Sequence, residues 1–140
     1  MSFDPERRFA VVFDTNVLLS STLWDGSVAQ KLLQKMILSD VDIFSSSEIL
    51  EEYQKILRRD FDYTEEKINK IMIVISAFLK IVEPKEKVDA VKDDPDDNKV
   101  IECALASGSE YILTYDNHLL KLNEFRGIKI IKPEELLKLF

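Results

Sequence analysis

The sequence predicts an α/β fold of three layers, α/β/α, around a central parallel sheet of about five strands. Three observations lead there. The run Phe9-Ala10-Val11-Val12-Phe13 is wholly apolar and too short for an ordinary helix, so it reads as a strand buried on both faces. Similar short runs recur along the chain, separated by amphipathic stretches with helical spacing. Gly and Pro number only 3 and 4 among 140 residues, which leaves little room for long structureless loops.

The first strand ends on Asp14-Thr15-Asn16. Residues 17–39 are helical with a break at Trp24-Asp25-Gly26, after which Ser27 caps a stripe of Val28, Leu32, Leu33 and Met36. Ile43-Phe44-Ser45-Ser46 is a second strand. Ser47 is the expected cap of a helix over residues 48–58, with Ile49, Leu50, Tyr53, Ile56 and Leu57 on its inner face. Thr64 caps a longer helix reaching about residue 80, and Ile81-Val82-Glu83 is a third strand closed by Pro84. Residues 85–92 are charged and expected on the surface. The acidic run Asp93-Asp94-Pro95-Asp96-Asp97-Asn98 leads into a helix over residues 99–106, stopped by Gly108. Residues 111–114 form a fourth strand ending on Tyr115-Asp116-Asn117-His118. Residues 128–131 form a fifth, and Pro133 opens a last helix.

Length and composition fit one domain over residues 1–140, with a real core. No apolar run approaches the roughly 20 residues of a membrane span, so no membrane association is expected. The first eight residues lack an apolar signal core and Cys103 is the sole cysteine, both expected of a cytoplasmic protein. Glycine-rich phosphate loops are absent, which excludes a nucleotide-binding P-loop or dinucleotide fold. The net charge of −7 argues against broad, sequence-independent nucleic-acid binding.

In an open parallel sheet, ligands gather beyond the carboxyl ends of the strands. Asp14 and Asp116 both stand at such ends, and face each other if strands one and four are neighbours. Helical angles bring further acids near. In the 48–58 helix Glu51 points almost opposite the buried face, Glu48 lies well away from it, and Glu52 sits at its margin. Asp97 lines up with Ile101 and Ala104, and Asp96 with Val100 and Cys103; either can cap the helix, and Asp97 is better placed to turn inward. Two carboxylates ~5 Å apart repel by about 3 kcal/mol at an effective dielectric of ~20, so four in one pocket need protons or a cation to offset them. An all-carboxylate set suits Mg²⁺ or Mn²⁺. The competing explanation for each acid is local: the helix dipole favours acids at 93–97, and turns favour Asp116.

Taken together, Val12-Phe13-Asp14-Thr15-Asn16-Val17-Leu18, the stretch from Ser47 through Glu52 to Leu57, Asp94-Pro95-Asp96-Asp97 through Ala104, and Ile112-Leu113-Thr114-Tyr115-Asp116 resemble the PIN domain family of metal-dependent nucleases. The Asp-Pro-Asp-Asp run and the closing Ile-Lys-Pro-Glu-Glu-Leu-Leu resemble its prokaryotic branch of toxins from toxin–antitoxin pairs. The resemblance implies a strand order of 3-2-1-4-5. It implies that Asp14, Glu52, Asp97 and Asp116 are the catalytic acids and hold one or two Mg²⁺ or Mn²⁺ ions, with Asp14 and Asp97 central. Thr15, Asn16 and Thr114 would support them. The implied reaction is hydrolysis of single-stranded RNA, and the implied partners are that RNA, an antitoxin protein and a second copy in a homodimer. Many members carry a small residue where this chain has Tyr115, and an acid or Asn where it has His118, which implies a weaker second metal position.

Arg58, Arg59 and Lys99 are the candidate phosphate contacts, since affinity for nucleic acid needs local positive charge. The four acids account for only part of the −7, so RNA binding is expected to be weak and local. Two other readings compete. A non-catalytic PIN-like binding module would show no cleavage with any divalent ion and would hold a partner protein. A phosphatase on a Rossmann-like sheet would need Asp-x-Asp after the first strand, and Asn16 occupies the second position.

Overall fold

The buried run at the start of the chain becomes the middle of the sheet. The computed structural model describes residues 9–140, and all four residues of β1 (Ala10–Phe13) are buried. Chain order continues with α1 (Thr15–Leu23), α2 (Val28–Leu38), β2 (Asp42–Ser45), α3 (Ser47–Arg59), α4 (Glu65–Ser76) and β3 (Leu79–Ile81). A single 3-10 turn (Pro95–Asp97) then leads into α5 (Asn98–Ser107), β4 (Tyr111–Leu113), α6 (Asn117–Leu122), β5 (Glu124–Phe125), β6 (Ile128–Ile131) and α7 (Pro133–Leu137). The strands lie in the order β3-β2-β1-β4-β6-β5. Every pairing is parallel except β5 with β6. The expected order 3-2-1-4-5 is therefore present, the fifth expected strand being β6, and the short β5 adds an antiparallel edge.

Strand alternation divides β1 between two cores. Val11 and Phe13 pack with Leu18, Leu32, Met36, Tyr53, Leu57 and Ile68 on one face. Val12 packs on the other with Val100, Ile101, Cys103 and Ala104 of α5 and with Ile112 and Ile130 of the neighbouring strands. This is the three-layer arrangement. Most helices form where the apolar stripes were expected, and α2 and α4 are each started by a hydroxyl side chain. Ser27 accepts from the Gln30 N–H at 3.1 Å, and Thr64 accepts from the Lys67 N–H at 3.2 Å.

Several boundaries differ from expectation. Ser46, not Ser47, caps α3, while the Ser47 hydroxyl donates to Glu83. The fourth helix ends at Ser76 rather than near residue 80, because Leu79 and Ile81 are needed as partners for Ile43 and Ser45 at the sheet edge. Residues 117–122, without an expected element, form α6, capped by Asp116. The third strand lies two residues earlier than the expected 81–83, so Val82 and Glu83 are outside it; residues 82–91 are irregular, and 85–92 are not simply surface. Val91 is buried, the Asn98 Oδ1 accepts from the Ala90 and Val91 N–H groups at 3.0 and 2.8 Å, and Glu102 accepts from Val88 N–H at 3.0 Å. Asn98 and Glu102 are buried because they replace the sheet partners this segment does not have. The expectation about the first eight residues lies outside the described residues. Among the described residues, no helix is long and apolar enough to cross a membrane.

Candidate active site

The carboxyl ends of β1 and β4 meet at one edge of the sheet. Because β1 and β4 are paired, Asp14 and Asp116 emerge side by side, and the Asp14 N–H donates to the Leu113 carbonyl at 3.0 Å. Asp14 is buried. Its Oδ1 accepts from the Thr15 N–H at 2.6 Å and its Oδ2 from the Thr114 hydroxyl at 2.7 Å. The same Thr114 oxygen accepts from the Asp116 N–H at 2.9 Å. Thr114 thus links the two acids through one buried hydroxyl. Asp116 in turn accepts from the N–H groups of His118 and Leu119 at 2.8 and 3.2 Å, starting α6.

The 3-10 turn supplies the remaining acids. Donor atoms of Asp94, Asp97, Asp116 and His118 all lie within 4.8 Å of one another. Capping accounts for Asp14 and Asp116 in part, but not for Asp94 or Asp97, whose side chains make no cap hydrogen bond in the turn or in α5. The Asp97 Oδ2 is buried and has no hydrogen-bond partner among the described residues. Burial first, then the charges of Asp116, Asp14 and Asp94, push the Asp97 carboxyl up to about 8. Asp14 is pushed up to about 6 by burial, against the hydrogen bonds from Thr114 and Thr15, with Asp116 and Glu52 adding repulsion. An orphaned carboxylate oxygen inside such a crowd fits a bound cation. Three carboxylates in reach of one another could hold a divalent cation, and His118 offers a nitrogen beside them.

An open cleft of about 590 Å³ lies over these acids. One wall is α3, whose Glu48, Glu51, Glu52, Lys55 and Arg59 line it. Glu48 and Glu51 border the cleft because its mouth lies on the wet side of α3, which the angle to the buried face alone does not reveal. Glu52 pairs with Lys99 of α5, and Lys99 also reaches Asp96 at 3.0 Å. Asn16 lines the cleft and is exposed. Thr15 contributes its backbone N–H, while its hydroxyl is buried without a partner among the described residues. The candidate phosphate contacts divide. Arg59 and Lys99 border the cleft, Arg59 in a two-point ion pair with its neighbour Asp60, whereas Arg58 turns to the neighbouring helix and forms a two-point ion pair with Glu65. Arg58 therefore does not border the cleft, because as the residue before Arg59 it is rotated about 100° off the helical line of Glu52, Lys55 and Arg59. Sequence reasoning did not single out Asp94 or Lys55 at this cleft, and it read His118 only as a departure that weakens a second metal position. Lys55 was findable, since it lies three residues after Glu52 on the same helical line.

A parallel sheet in this strand order, with acids converging at its carboxyl edge, defines an α/β protein with a candidate metal centre. The chain belongs to the PIN domain family, whose model, described as "PIN domain", matches residues 10–118. It is 28% identical over 145 residues to the uncharacterized protein MJ1680 of Methanocaldococcus jannaschii, covering 95% of this chain and 92% of that one. In fold it is similar to a chain in the crystal structure of VapBC2 from Rickettsia felis bound to a DNA fragment from their promoter. That likeness has a TM-score of 0.62 at 12% identity, covering 87% of this chain and 97% of the other.

Proposed function

We propose that this protein is a divalent-metal-dependent nuclease that hydrolyses phosphodiester bonds of single-stranded RNA, acting as the toxin of a toxin–antitoxin pair in the cytoplasm. The observation that carries the reading is the buried Asp97 Oδ2, without a hydrogen-bond partner among the described residues, beside the acids of the β1–β4 edge. Neither capping nor ion pairing gives that oxygen a role; a proton offsets its charge in the ion-free site, and a cation would offset it on loading. Membership in the PIN domain family supports nuclease chemistry. The fold likeness to VapBC2 agrees with an antitoxin partner.

Asp94, Asp97 and Asp116 would hold the ion, with His118 beside them and Asp14 beneath. When bound, Mg²⁺ or Mn²⁺ supplies a Lewis acid that offsets phosphodiester charge and acidifies a water. The chain's own residues do the rest. Thr114 holds Asp14 and Asp116 in fixed relation through its hydroxyl. Asp97 holds a proton in the ion-free site and releases it on loading. Lys55 and Arg59, on the α3 wall, supply the positive charge that a passing phosphate requires.

The test is calorimetric titration of Mn²⁺ into the wild-type chain and Asp97→Asn, paired with a single-stranded RNA cleavage assay. The expected result is binding and cleavage by the wild type, with both weakened more than ~100-fold in the variant, beyond what loss of an outer-sphere partner costs. Cleavage that survives in both Asp97→Asn and Asp14→Asn would sink the proposal. Absence of cleavage with every divalent ion would favour a non-catalytic binding module.

A further inference from the structure

Lys99 is out of place by ordinary rules. It stands in the first turn of α5, where the helix dipole disfavours a cation, and its side chain is only 10% exposed although lysine normally keeps its ammonium in water. What holds it there is a pair of carboxylates from different elements: Glu52 from α3 and Asp96 from the 3-10 turn. Two consequences follow for the acids. Asp96 is turned toward Lys99, which leaves its neighbour Asp97 as the acid whose buried oxygen has no hydrogen-bond partner among the described residues. Glu52 is engaged by an ammonium, and it is absent from the group of donors that come within 4.8 Å of one another.

We propose that Lys99 is a built-in counter-cation that occupies Glu52, so that the cleft takes a single divalent ion, at Asp94, Asp97 and Asp116. This rests on the nuclease reading above and deepens it. A second ion at Glu52 would have to displace a mostly buried ammonium from two carboxylates or sit against it, and like charges at such range repel strongly where water is scarce. Lys99 is a positioning residue: it fixes Glu52 on the α3 wall and keeps positive charge on that side of the cleft without a metal. The arrangement predicts that the number of ions bound, rather than folding alone, depends on Lys99.

The experiment counts Mn²⁺ by calorimetry and by electron paramagnetic resonance in the wild type, Lys99→Met, Lys99→Arg and Glu52→Gln, with RNA cleavage measured in parallel. The wild type and Lys99→Arg are expected to bind one ion. Lys99→Met, which frees Glu52 and Asp96, is expected to bind two. Glu52→Gln is expected to keep the single ion with its affinity unchanged, which tests the same point if Lys99→Met does not fold. A wild type that cleaves RNA and binds two ions would overturn the Lys99 assignment and leave the nuclease standing. So would Lys99→Met remaining at one ion, as a merely structural lysine requires, or a loss of affinity of about tenfold or more in Glu52→Gln. A wild type that binds no Mn²⁺ would overturn both.

Discussion

Asp97 and Asp14 carry the site's proton chemistry, and its consequence for stability has a definite sign. Both carboxyls are raised from an ordinary value of 3.8, to about 8 and about 6, chiefly by burial. The folded state then holds their protons more tightly than the unfolded chain does. The stability this contributes is complete below about pH 4 and is lost as pH rises, through about 6 for Asp14 and about 8 for Asp97. In chelator, the melting temperature is expected to fall between pH 5 and pH 8.5. Asp97→Asn is expected to flatten that fall, melting near the wild type at pH 5 and above it at pH 8.5. Thermal melts in EDTA across this range measure it, and a wild type whose melting temperature rises with pH would contradict the assignment. At this scale Asp14 and Asp116 were legible because each ends a strand, and a strand's end is a position that sequence can mark. Asp94 and His118 were not, because they approach the other acids through a turn and the start of α6 rather than through any shared period.

Among the elements, the 3-10 turn with the start of α5 does the most to position the site, and Asn98 is its brace. The Asn98 amide accepts from the Ala90 and Val91 N–H groups and donates to the Pro95 carbonyl at 3.0 Å. One side chain therefore ties the irregular segment 82–91 to the turn that carries Asp94 and Asp97. Asn98→Ala leaves two backbone donors without their acceptor, each costing ~1–3 kcal/mol where water cannot replace it. A destabilisation of about 2–4 kcal/mol in urea is expected on that basis, together with weaker Mn²⁺ binding because the turn is loosened. An effect on stability below about 0.5 kcal/mol, the range of ordinary surface substitutions, would show that the brace carries no load. Sequence patterning placed most helices within a few residues, but it read 85–92 as solvated charge. Charge content does not reveal that the backbone of that segment is bonded to Asn98 and Glu102, whose positions in sequence lie beyond it.

At the level of the whole molecule, the sheet concentrates negative charge at one edge and the rest of the fold must bear it. A cation that binds only the folded chain stabilises it by mass action, by about 2.7 kcal/mol at a free concentration ~100 times its Kd. Saturating Mn²⁺ is therefore expected to raise the melting temperature of the wild type clearly at pH 7.5 and to leave that of Asp97→Asn almost unmoved. Equal shifts in both would mean that the ion binds elsewhere. The sequence by itself determined the class of fold, the alternation of strands and helices, the central place of the 9–13 run, and the placing of Asp14 and Asp116 at strand ends. It did so because burial and backbone periodicity are local properties that residue types record directly. Only the tertiary structure decided that Asp94 and His118 join Asp97 and Asp116, that Arg58 turns away, and that Lys99 engages Glu52. Those outcomes depend on the angle and distance at which α3, α5 and the 3-10 turn are packed against the sheet. Packing is set by the two cores acting together, and no single stretch of the chain encodes it.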